Sequence, residues 1–163
     1  MEELEAIKHY GRPTGKGLKL HLGCGDYWYE GFLNIDHVTL GGTDMVWDLR
    51  EKLPFQDNTV EMIISHDFIE HFTPGEVDMM LEDWKRVLID EGMVVAVVPD
   101  IEELMKQGLV NQIYGIEHDH KWGYNQAGFE KLFTDHGFKV AYIDKKEYSY
   151  RPGEPKLEVK CLK

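Results

Sequence analysis

Residues 18–36 read LKLHLGCGDYWYEGFLNID, and this stretch decides the fold. An apolar run, Leu18 to Leu22, enters the turn Gly23-Cys24-Gly25, and a second run, Leu33 to Ile35, ends at Asp36. Glycines in such a turn let a ligand approach backbone that a Cβ would block. An acidic side chain at the end of the next strand can accept hydrogen bonds from ribose hydroxyls. The stretch predicts two strands whose ends bind a ribose-containing ligand.

Short apolar runs continue along the chain and alternate with helical patterns. This alternation predicts an α/β fold, a Rossmann-like three-layer sandwich with a mostly parallel sheet. The last run alternates apolar and charged residues, which predicts a half-exposed antiparallel strand near the C-terminus and the sheet edge. The further strands are predicted at Met45 to Trp47, Val60 to Ile64, Met93 to Val98, Phe138 to Ile143 and Lys156 to Leu162.

Capping residues mark three helices. Thr73-Pro-Gly-Glu supplies an N-cap, a proline at the first helical position and a capping-box glutamate. A second helix is predicted to start at Asp100, and a third to run from about Asn125 to His136, with Gly137 as its stop. The apolar stripe of the first helix is expected to pack on the sheet, at Val77, Met80, Leu81, Trp84, Val87 and Leu88.

Two more strand ends carry polar groups. The run that begins at Met45 finishes at Asp48-Leu49, and the run that begins at Val60 finishes at Ser65-His66. Ligands in open α/β sheets bind at the carboxyl ends of the strands. We therefore expect these groups to share one crevice with the glycine turn and Asp36.

The order of these motifs resembles that of class I S-adenosylmethionine-dependent methyltransferases, especially the small type 11-like branch. The resemblance spans Leu18 to Asp100. There are two departures from the family pattern. In the first, Tyr27 replaces the third glycine of the family's loop, and the short segment before Asp36 scarcely fits a full helix. In the second, Asp90-Glu91-Gly92 stands where the family often has a lysine-proline-glycine-glycine turn. The motifs are Leu22-Gly23-Cys24-Gly25, Gly31-Phe32-Leu33-Asn34-Ile35-Asp36, Asp48-Leu49, Leu53-Pro54-Phe55 and Ile69-Glu70-His71.

The resemblance implies that the chain binds S-adenosylmethionine and releases S-adenosylhomocysteine. Gly23 to Gly25 would lie against the methionine part, Asp36 would hold the ribose, and Asp48 with Leu49 would address the adenine. Ser65 and His66 would line the transfer site. The full set expected to bind the cofactor is Leu22, Gly23, Cys24, Gly25, Asp36, His37, Asp48, Leu49, Ser65 and His66.

A general base can assist methyl transfer by taking a proton from the acceptor. Histidine titrates near ~6.5 and suits this role, so we considered His66, His71, His118 and His120. His66 and His120 are the predicted catalytic residues. Trp122, Tyr124 and Tyr114 could form the acceptor wall or cap the core, and the segment Gly108 to Tyr124 could be a mobile lid.

Composition limits the partners. At 163 residues with 42% hydrophobic content, we expect one domain over 1–163, with 1–16 as an N-terminal helix or linker. The formal charge of -12 disfavours nucleic acid, and a small-molecule or glycan-type acceptor is expected instead. No membrane span is predicted, two well-separated cysteines fit a cytoplasmic protein, and a homodimer could close the substrate pocket.

Two other function classes stay open. A metal-dependent hydrolase could use the cluster His66, Glu70, His71, His118 and His120, whose side chains suit transition metals. The His-x-x-x-Glu-His spacing is one residue longer than the inverted zinc-protease motif, so no metal site is assigned. A non-catalytic module could also bind the cofactor without transferring a methyl group.

Overall fold

A computed structural model describes residues 17–109, 111, 119–149 and 151–163. The N-terminal helix or linker predicted at residues 1–16 lies outside this range. The described strands are β1 (Leu18–Leu22), β2 (Leu33–Asp36), β3 (Met45–Val46), β4 (Val60–His66), β5 (Leu88–Pro99), β6 (Lys139–Tyr148) and β7 (Arg151–Leu162). The described helices are a 3-10 helix (Ile69–His71), α1 (Pro74–Val87), α2 (Ile101–Lys106) and α3 (Gln126–Asp135).

The strands form one mixed sheet in the order β3-β2-β1-β4-β5-β7-β6. The pairs among β1 to β5 are parallel, whereas β7 pairs antiparallel with both β5 and β6. This confirms the predicted α/β class, the mostly parallel sheet and the antiparallel strand near the C-terminus. The chain leaves β1 toward β2 and returns on the other side at β4, so the topological switch point lies between β1 and β4. Ligands of such sheets bind in the crevice at that point.

The connection from β1 to β2 contains turns and no helix, as the short segment predicted. Residues 23–32 are mostly exposed apart from Cys24. The carboxyl end of β1 is therefore joined to the start of β2 by a segment that largely faces solvent.

Helix α1 begins as its sequence predicts. The backbone N–H and the hydroxyl of Thr73 both donate to Glu76 Oε2, at 2.8 and 2.9 Å. The predicted apolar stripe is buried from Val77 to Leu88, which confirms its packing on the sheet. Helix α3 lies beside α1, because Lys85 Nζ donates to the carbonyl of His136 at 3.0 Å. Phe129 and Phe133 of α3 join Trp84 of α1 in the core.

The other two predicted helix starts are also confirmed. The Asp100 side chain accepts from the backbone N–H groups of Glu102 and Glu103 at the start of α2. Asn125 Oδ1 accepts from the N–H of Gly128 at 2.8 Å and caps α3. Gly137 follows α3 with a φ of +75°, a left-handed conformation that suits glycine after a helix.

Strand β5 is longer than the predicted run Met93 to Val98. It follows α1 directly, and its pairing with β4 jumps from Val60↔Leu88 to Met62↔Met93. The extra residues of β5 bulge there, and Glu91 has a φ of +62°. The Asp90-Glu91-Gly92 segment thus makes a turn within an irregular strand.

Strands β6 and β7 form a hairpin that extends beyond both predicted runs. The prediction that β7 is half exposed is wrong, since Lys156 is 0% and Glu158 8% exposed. The reason is that β7 pairs with β5 on one edge and with β6 on the other, so it is an interior strand of the sheet and not an edge strand. Lys156 is buried as an ion pair with Asp67 and Glu154. No helix in the described part of the chain is long and apolar enough to cross a membrane.

Candidate functional site

The glycine turn connects β1 to the end of β2 through backbone hydrogen bonds. The N–H groups of Gly23 and Cys24 donate to the carbonyl of Ile35, at 2.9 and 3.2 Å. The N–H of Gly25 then donates to Asp36 Oδ2 at 2.9 Å. The turn and the acidic strand end that were predicted as partners therefore form one hydrogen-bonded unit at the switch point.

The two glycines of the turn have different surroundings. Both have a left-handed φ, +69° at Gly23 and +53° at Gly25. A Cβ on Gly23 would lie 2.1 Å from the Phe68 ring, whereas a Cβ on Gly25 would meet nothing within 4 Å. Gly23 is therefore needed for packing between the ends of β1 and β4. Gly25 leaves open space beside its backbone that a ligand can occupy.

Asp36 is almost buried but keeps hydrogen-bonding capacity. Its Oδ1 accepts from the backbone N–H of His37 at 2.7 Å, and its Oδ2 accepts from Gly25. The His37 ring lies 2.8 Å from the same Oδ1 and is 74% exposed. Oδ1 also accepts from the N–H of Val38 at 3.4 Å, whereas among the described residues Oδ2 accepts from Gly25 alone. Because each carboxylate oxygen offers about two lone-pair sites, Oδ2 can still accept from a ligand hydroxyl group.

Asp48 lies at the same edge, beyond β3, and is already paired with a cation. Arg50 binds both carboxylate oxygens, at 2.9 and 2.6 Å. These hydrogen bonds lower the pKa of Asp48 to about 2. A ligand at Asp48 must share the carboxylate with Arg50. The adjacent Leu49 is buried in the core, and so is Leu22.

A cavity of about 170 Å³ opens at the switch point. Of the predicted cofactor residues, Gly23, Cys24, Gly25 and His66 line it. Ser65 does not reach it, because its side chain is completely buried in β4. Burial also raises the pKa of the Cys24 thiol, whose sulfur lies 3.7 Å from the carbonyl of Gly42.

Aromatic rings surround His66 at this cavity. The His66 ring centroid lies 5.5 Å from that of Tyr148 and 6.0 Å from that of Tyr29. His21 contacts Tyr29 edge to face at 4.7 Å and its Nδ1 lies 3.0 Å from Asn34 Oδ1. Burial lowers the pKa of His66 and lowers that of His21 to about 4. Both imidazoles are therefore uncharged at neutral pH.

Sequence reasoning missed His21, Tyr29 and Tyr148 as site residues. His21 lies inside β1 in a Leu-Lys-Leu-His-Leu run, and the available signal was its polar side chain, which alternates, as Lys19 does, with leucines. Tyr148 lies at the far end of β6, and no local pattern predicts that the β6–β7 hairpin brings it to His66.

The other predicted catalytic residue, His120, lies apart from the residues that line this cavity. Its ring packs against His71, with centroids 4.8 Å apart, and its Nε2 lies 3.8 Å from Glu70 Oε1. Burial and the charge of Asp67 raise the pKa of Glu70 well above its ordinary value. The structure thus brings together three residues of the metal cluster considered from sequence. His66 is not among the grouped ligands, and His118 lies outside the described residues.

The aromatic residues expected near the acceptor take different positions. Tyr124 is buried against Phe129, which fits the capping alternative. Trp122 is 49% exposed and borders a separate groove between Pro74 and α3. Tyr114 lies outside the described residues, as does much of the segment expected to be a lid.

A part of the chain that contains several residues of this site matches a known protein family. Residues 35–96 match the family model described as a methyltransferase domain, which confirms the resemblance inferred from the sequence motifs. The matched residues run from the end of β2 into β5 and include Asp36, Asp48 and His66. No protein among the curated sequences matches the chain.

Several solved structures share the whole fold. An S-adenosylmethionine-dependent methyltransferase from Methanosarcina mazei is 14% identical with a TM-score of 0.68, and the alignment covers 100% of this chain and 99% of that one. One from Archaeoglobus fulgidus is 15% identical with a TM-score of 0.69, covering 98% and 92%. Burkholderia thailandensis 1,6-didemethyltoxoflavin-N1-methyltransferase, solved with that substrate and S-adenosylhomocysteine, is 14% identical with a TM-score of 0.68, covering 98% and 75%. These likenesses establish the fold.

Proposed function

We propose that the protein binds S-adenosylmethionine at the carboxyl ends of β1, β2 and β3 and transfers its methyl group to a small-molecule or glycan-type acceptor. The observation that carries this proposal is the hydrogen bond from Gly25 to Asp36 at the switch point. It joins an open glycine turn to a carboxylate that can still accept hydrogen bonds. The match of residues 35–96 to a methyltransferase domain supports the same function.

The chain's own residues suit the parts of the cofactor. Gly25 offers open space for the methionine part, and Asp36 with His37 faces the ribose. Asp48, at the neighbouring strand end, contacts the adenine. Arg50 lies beside Asp48 and keeps the Asp48 carboxylate ionised at neutral pH. The 170 Å³ cavity is smaller than the ~300 to 1,000 Å³ of typical ligand pockets, so it takes the methionine end and leaves the nucleoside on the open edge.

S-adenosylmethionine supplies an activated methyl group: the bond from sulfur to methyl breaks as the bond to the acceptor forms, and S-adenosylhomocysteine leaves. The aromatic wall of His21, Tyr29, His66 and Tyr148 orients a flat or sugar-like acceptor beside the glycine turn. Orientation of two reactants contributes much of the rate in such a transfer. The Burkholderia enzyme of the same fold, which is an N1-methyltransferase of 1,6-didemethyltoxoflavin, supports a small-molecule acceptor.

His66 is the residue that we propose takes the acceptor's proton. It lines the cavity, and burial keeps its imidazole neutral at pH 7. Asp67 and Glu158 act against this burial effect by favouring the charged ring, which helps His66 to hold the proton once it arrives. His120 has no such position among the described residues, so we assign it no role in the transfer.

The wider assignments follow from the same proposal. We infer a single methyltransferase domain over residues 1–163 and a cytoplasmic location, which the two free, buried cysteines support. The homodimer expected from the small size of the chain stays a prediction, and sedimentation of the full chain tests it.

Calorimetric titration of the full-length protein with S-adenosylmethionine and S-adenosylhomocysteine tests the proposed function. We expect saturable binding of both nucleosides, lost in Asp36→Ala. The matched control is Asp135→Asn, because Asp135 is an exposed carboxylate paired with Lys131 on α3. Absence of binding to either nucleoside by the wild-type protein would overturn the proposal. Binding without turnover of any acceptor would favour the non-catalytic module.

A further inference from the structure

Three potential metal ligands converge away from the cofactor site. Glu70 and His71 lie on the 3-10 helix that follows β4, and His120 lies on the segment before α3. One ligand atom from each residue lies within 4.8 Å of the others. We call these three residues the Glu70 cluster. It joins two segments that are about fifty residues apart in the sequence.

The carboxylate of Glu70 is the unusual member of the cluster. The residue is 1% exposed, and neither side-chain oxygen has a hydrogen-bond partner among the described residues. The Nε2 atom of His120 lies 3.8 Å from Glu70 Oε1, which is beyond hydrogen-bond distance. Burial of an unpaired carboxylate is costly, and buried charges in proteins are normally paired or coordinate a metal.

Space for an ion lies next to this carboxylate. A cavity of about 10 Å³ is lined by Glu70 and His120, with Pro99, Ile101, Trp122 and Gly123 closing it. That volume is about the minimum that holds one water molecule or a single ion. The unpaired oxygens of Glu70 therefore have room for one small occupant beside an imidazole.

The backbone already holds the two segments together. The N–H groups of Lys121 and Trp122 donate to the carbonyl of Glu70, at 2.8 and 3.1 Å. The His71 ring is hydrogen-bonded to the backbone at Asp119 and also at Asp67. A metal-bound imidazole commonly donates its other N–H to a backbone carbonyl, which fixes the ring. To bind a cation, His71 must give up one of these two contacts.

Two imidazoles and a carboxylate select the kind of ion. Mg²⁺ and Ca²⁺ prefer oxygen ligands, whereas imidazole suits zinc and related transition metals. A set of two His and one Glu matches zinc sites that keep a fourth position for water or substrate. In a tetrahedral site with metal–ligand bonds of ~2.1 Å, two ligand atoms lie ~3.4 Å apart, so binding draws together atoms that now lie within 4.8 Å of one another.

We propose that Glu70, His71 and His120 bind one zinc-class dication, which fastens the segment before α3 to the 3-10 helix. The cation neutralises the buried carboxylate and lies beside the small cavity that Glu70 and His120 line. The site stands independently of the methyl acceptor and of the nucleoside site, because none of its three residues lines the 170 Å³ cavity.

Metal titration of the full chain tests this site. Protein stripped with a chelator is titrated calorimetrically with ZnCl₂, and with CoCl₂ while the visible absorption of bound cobalt is recorded. We expect one equivalent of Zn²⁺ to bind and MgCl₂ to give no binding. Bound cobalt should show the visible absorption bands typical of four-coordinate Co²⁺. Glu70→Gln, His71→Asn and His120→Asn should each weaken Zn²⁺ binding by more than the ~10- to 100-fold that loss of an outer-shell partner costs.

The matched control is His136→Asn, since His136 lies after α3 and contacts the carbonyl of Leu132 instead. It should bind Zn²⁺ like the wild type. Glu70→Gln keeps the shape of the side chain and removes its charge, so this variant should fold and lose the rise in Tm that Zn²⁺ gives the wild type. Zinc binding that survives in all three cluster variants, or no stoichiometric binding to a folded wild-type protein, would overturn the proposal.

Discussion

Gly23 and Gly25 have the same backbone conformation, yet their side-chain positions face different neighbours. Alanine at either position places a residue with a Cβ in the left-handed region of backbone conformation, which lowers the free energy of unfolding by about 1 to 2 kcal/mol. At Gly23 the Cβ would also overlap the Phe68 ring, whereas at Gly25 it would project into open space. The two substitutions therefore separate packing from ligand access.

We expect Gly23→Ala to lower the free energy of unfolding by about 3 kcal/mol, because strain and overpacking add. Gly25→Ala should lower the free energy of unfolding by only about 1 kcal/mol. It should nevertheless weaken S-adenosylhomocysteine binding, because its Cβ would project into the open space proposed for the ligand. Urea unfolding and calorimetry measure both quantities. Equal stability losses in the two variants would contradict the role given to Phe68.

Lys156 is a buried cation in a strand that the sequence predicts to be half exposed. Its Nζ lies 2.7 Å from Asp67 Oδ1 and also binds Glu154. Lys156→Met should lower the free energy of unfolding by about 3 kcal/mol, because breaking a buried ion pair leaves its partners poorly compensated. Lys131→Met, which breaks an exposed pair with Asp135, should cost at most about 0.5 kcal/mol. Similar urea midpoints for the two variants would contradict this account.

At this scale the sequence predicted the residues that depend on local pattern. Gly23, Gly25 and Asp36 follow from strand ends, and the structure joins them by hydrogen bonds. Ser65 was expected at the site because it ends its strand together with His66, but adjacent residues of a strand point to opposite faces, and Ser65 is completely buried. Tyr148 and Lys156 depend on the pairing of distant strands, which no local pattern contains.

Helix α1 shows how an element can be predicted from its ends. The Thr73 and Glu76 pair starts it, and an apolar stripe holds it on the sheet. Helix signals are local in the sequence, so the starts of α1, α2 and α3 and the end of α3 were predicted near their true positions. The bulge in β5 and the full length of the β6–β7 hairpin depend on pairing between strands, so the sequence runs underestimated both.

The capping box of α1 should make stability depend on pH. Hydrogen bonds from the Thr73 backbone, then from its side chain, lower the pKa of Glu76. The ionised carboxylate therefore stabilises the fold above its unfolded pKa of ~4.3, and this contribution is lost as pH falls through the lower folded value. Glu76→Ala should cost about 1 kcal/mol at pH 7 and progressively less below pH ~4.

The control for this prediction is Glu82→Ala, at an exposed position of the same helix. It should change the free energy of unfolding by at most about 0.5 kcal/mol at either pH. Chemical unfolding at neutral and acid pH provides the comparison. A Glu76→Ala cost that stays constant down to acid pH would show that the carboxylate charge does not stabilise the helix start.

On the scale of the whole molecule, the strand order places the ends of β1 and β4 at one crevice. The parallel part of this sheet was predictable, because alternating strands and helices leave few other arrangements. The second cluster, around Glu70, was foreseen only as a set of residue types. The spacing of these residues along the chain does not predict that His120 lies beside the 3-10 helix. Backbone hydrogen bonds from Lys121 and Trp122 to the carbonyl of Glu70 bring the two segments together.

Charge is also a property of the whole molecule. Thirty acidic and eighteen basic residues give a formal charge of -12, which repels phosphate backbones. We expect no detectable binding of duplex DNA or single-stranded RNA at ~150 mM salt, as measured by fluorescence anisotropy. Micromolar binding of either polymer would contradict the assignment of a small acceptor.

The proposed cofactor position lies across the ends of β1, β2 and β3. An NMR titration of the ¹⁵N-labelled chain with S-adenosylhomocysteine maps this position residue by residue. We expect the largest amide shifts at Gly23 to Gly25, at Asp36 and His37, and at Asp48 and Leu49. Shifts that instead centre on the groove beside Trp122 and α3, or no shifts at saturating nucleoside, would contradict it.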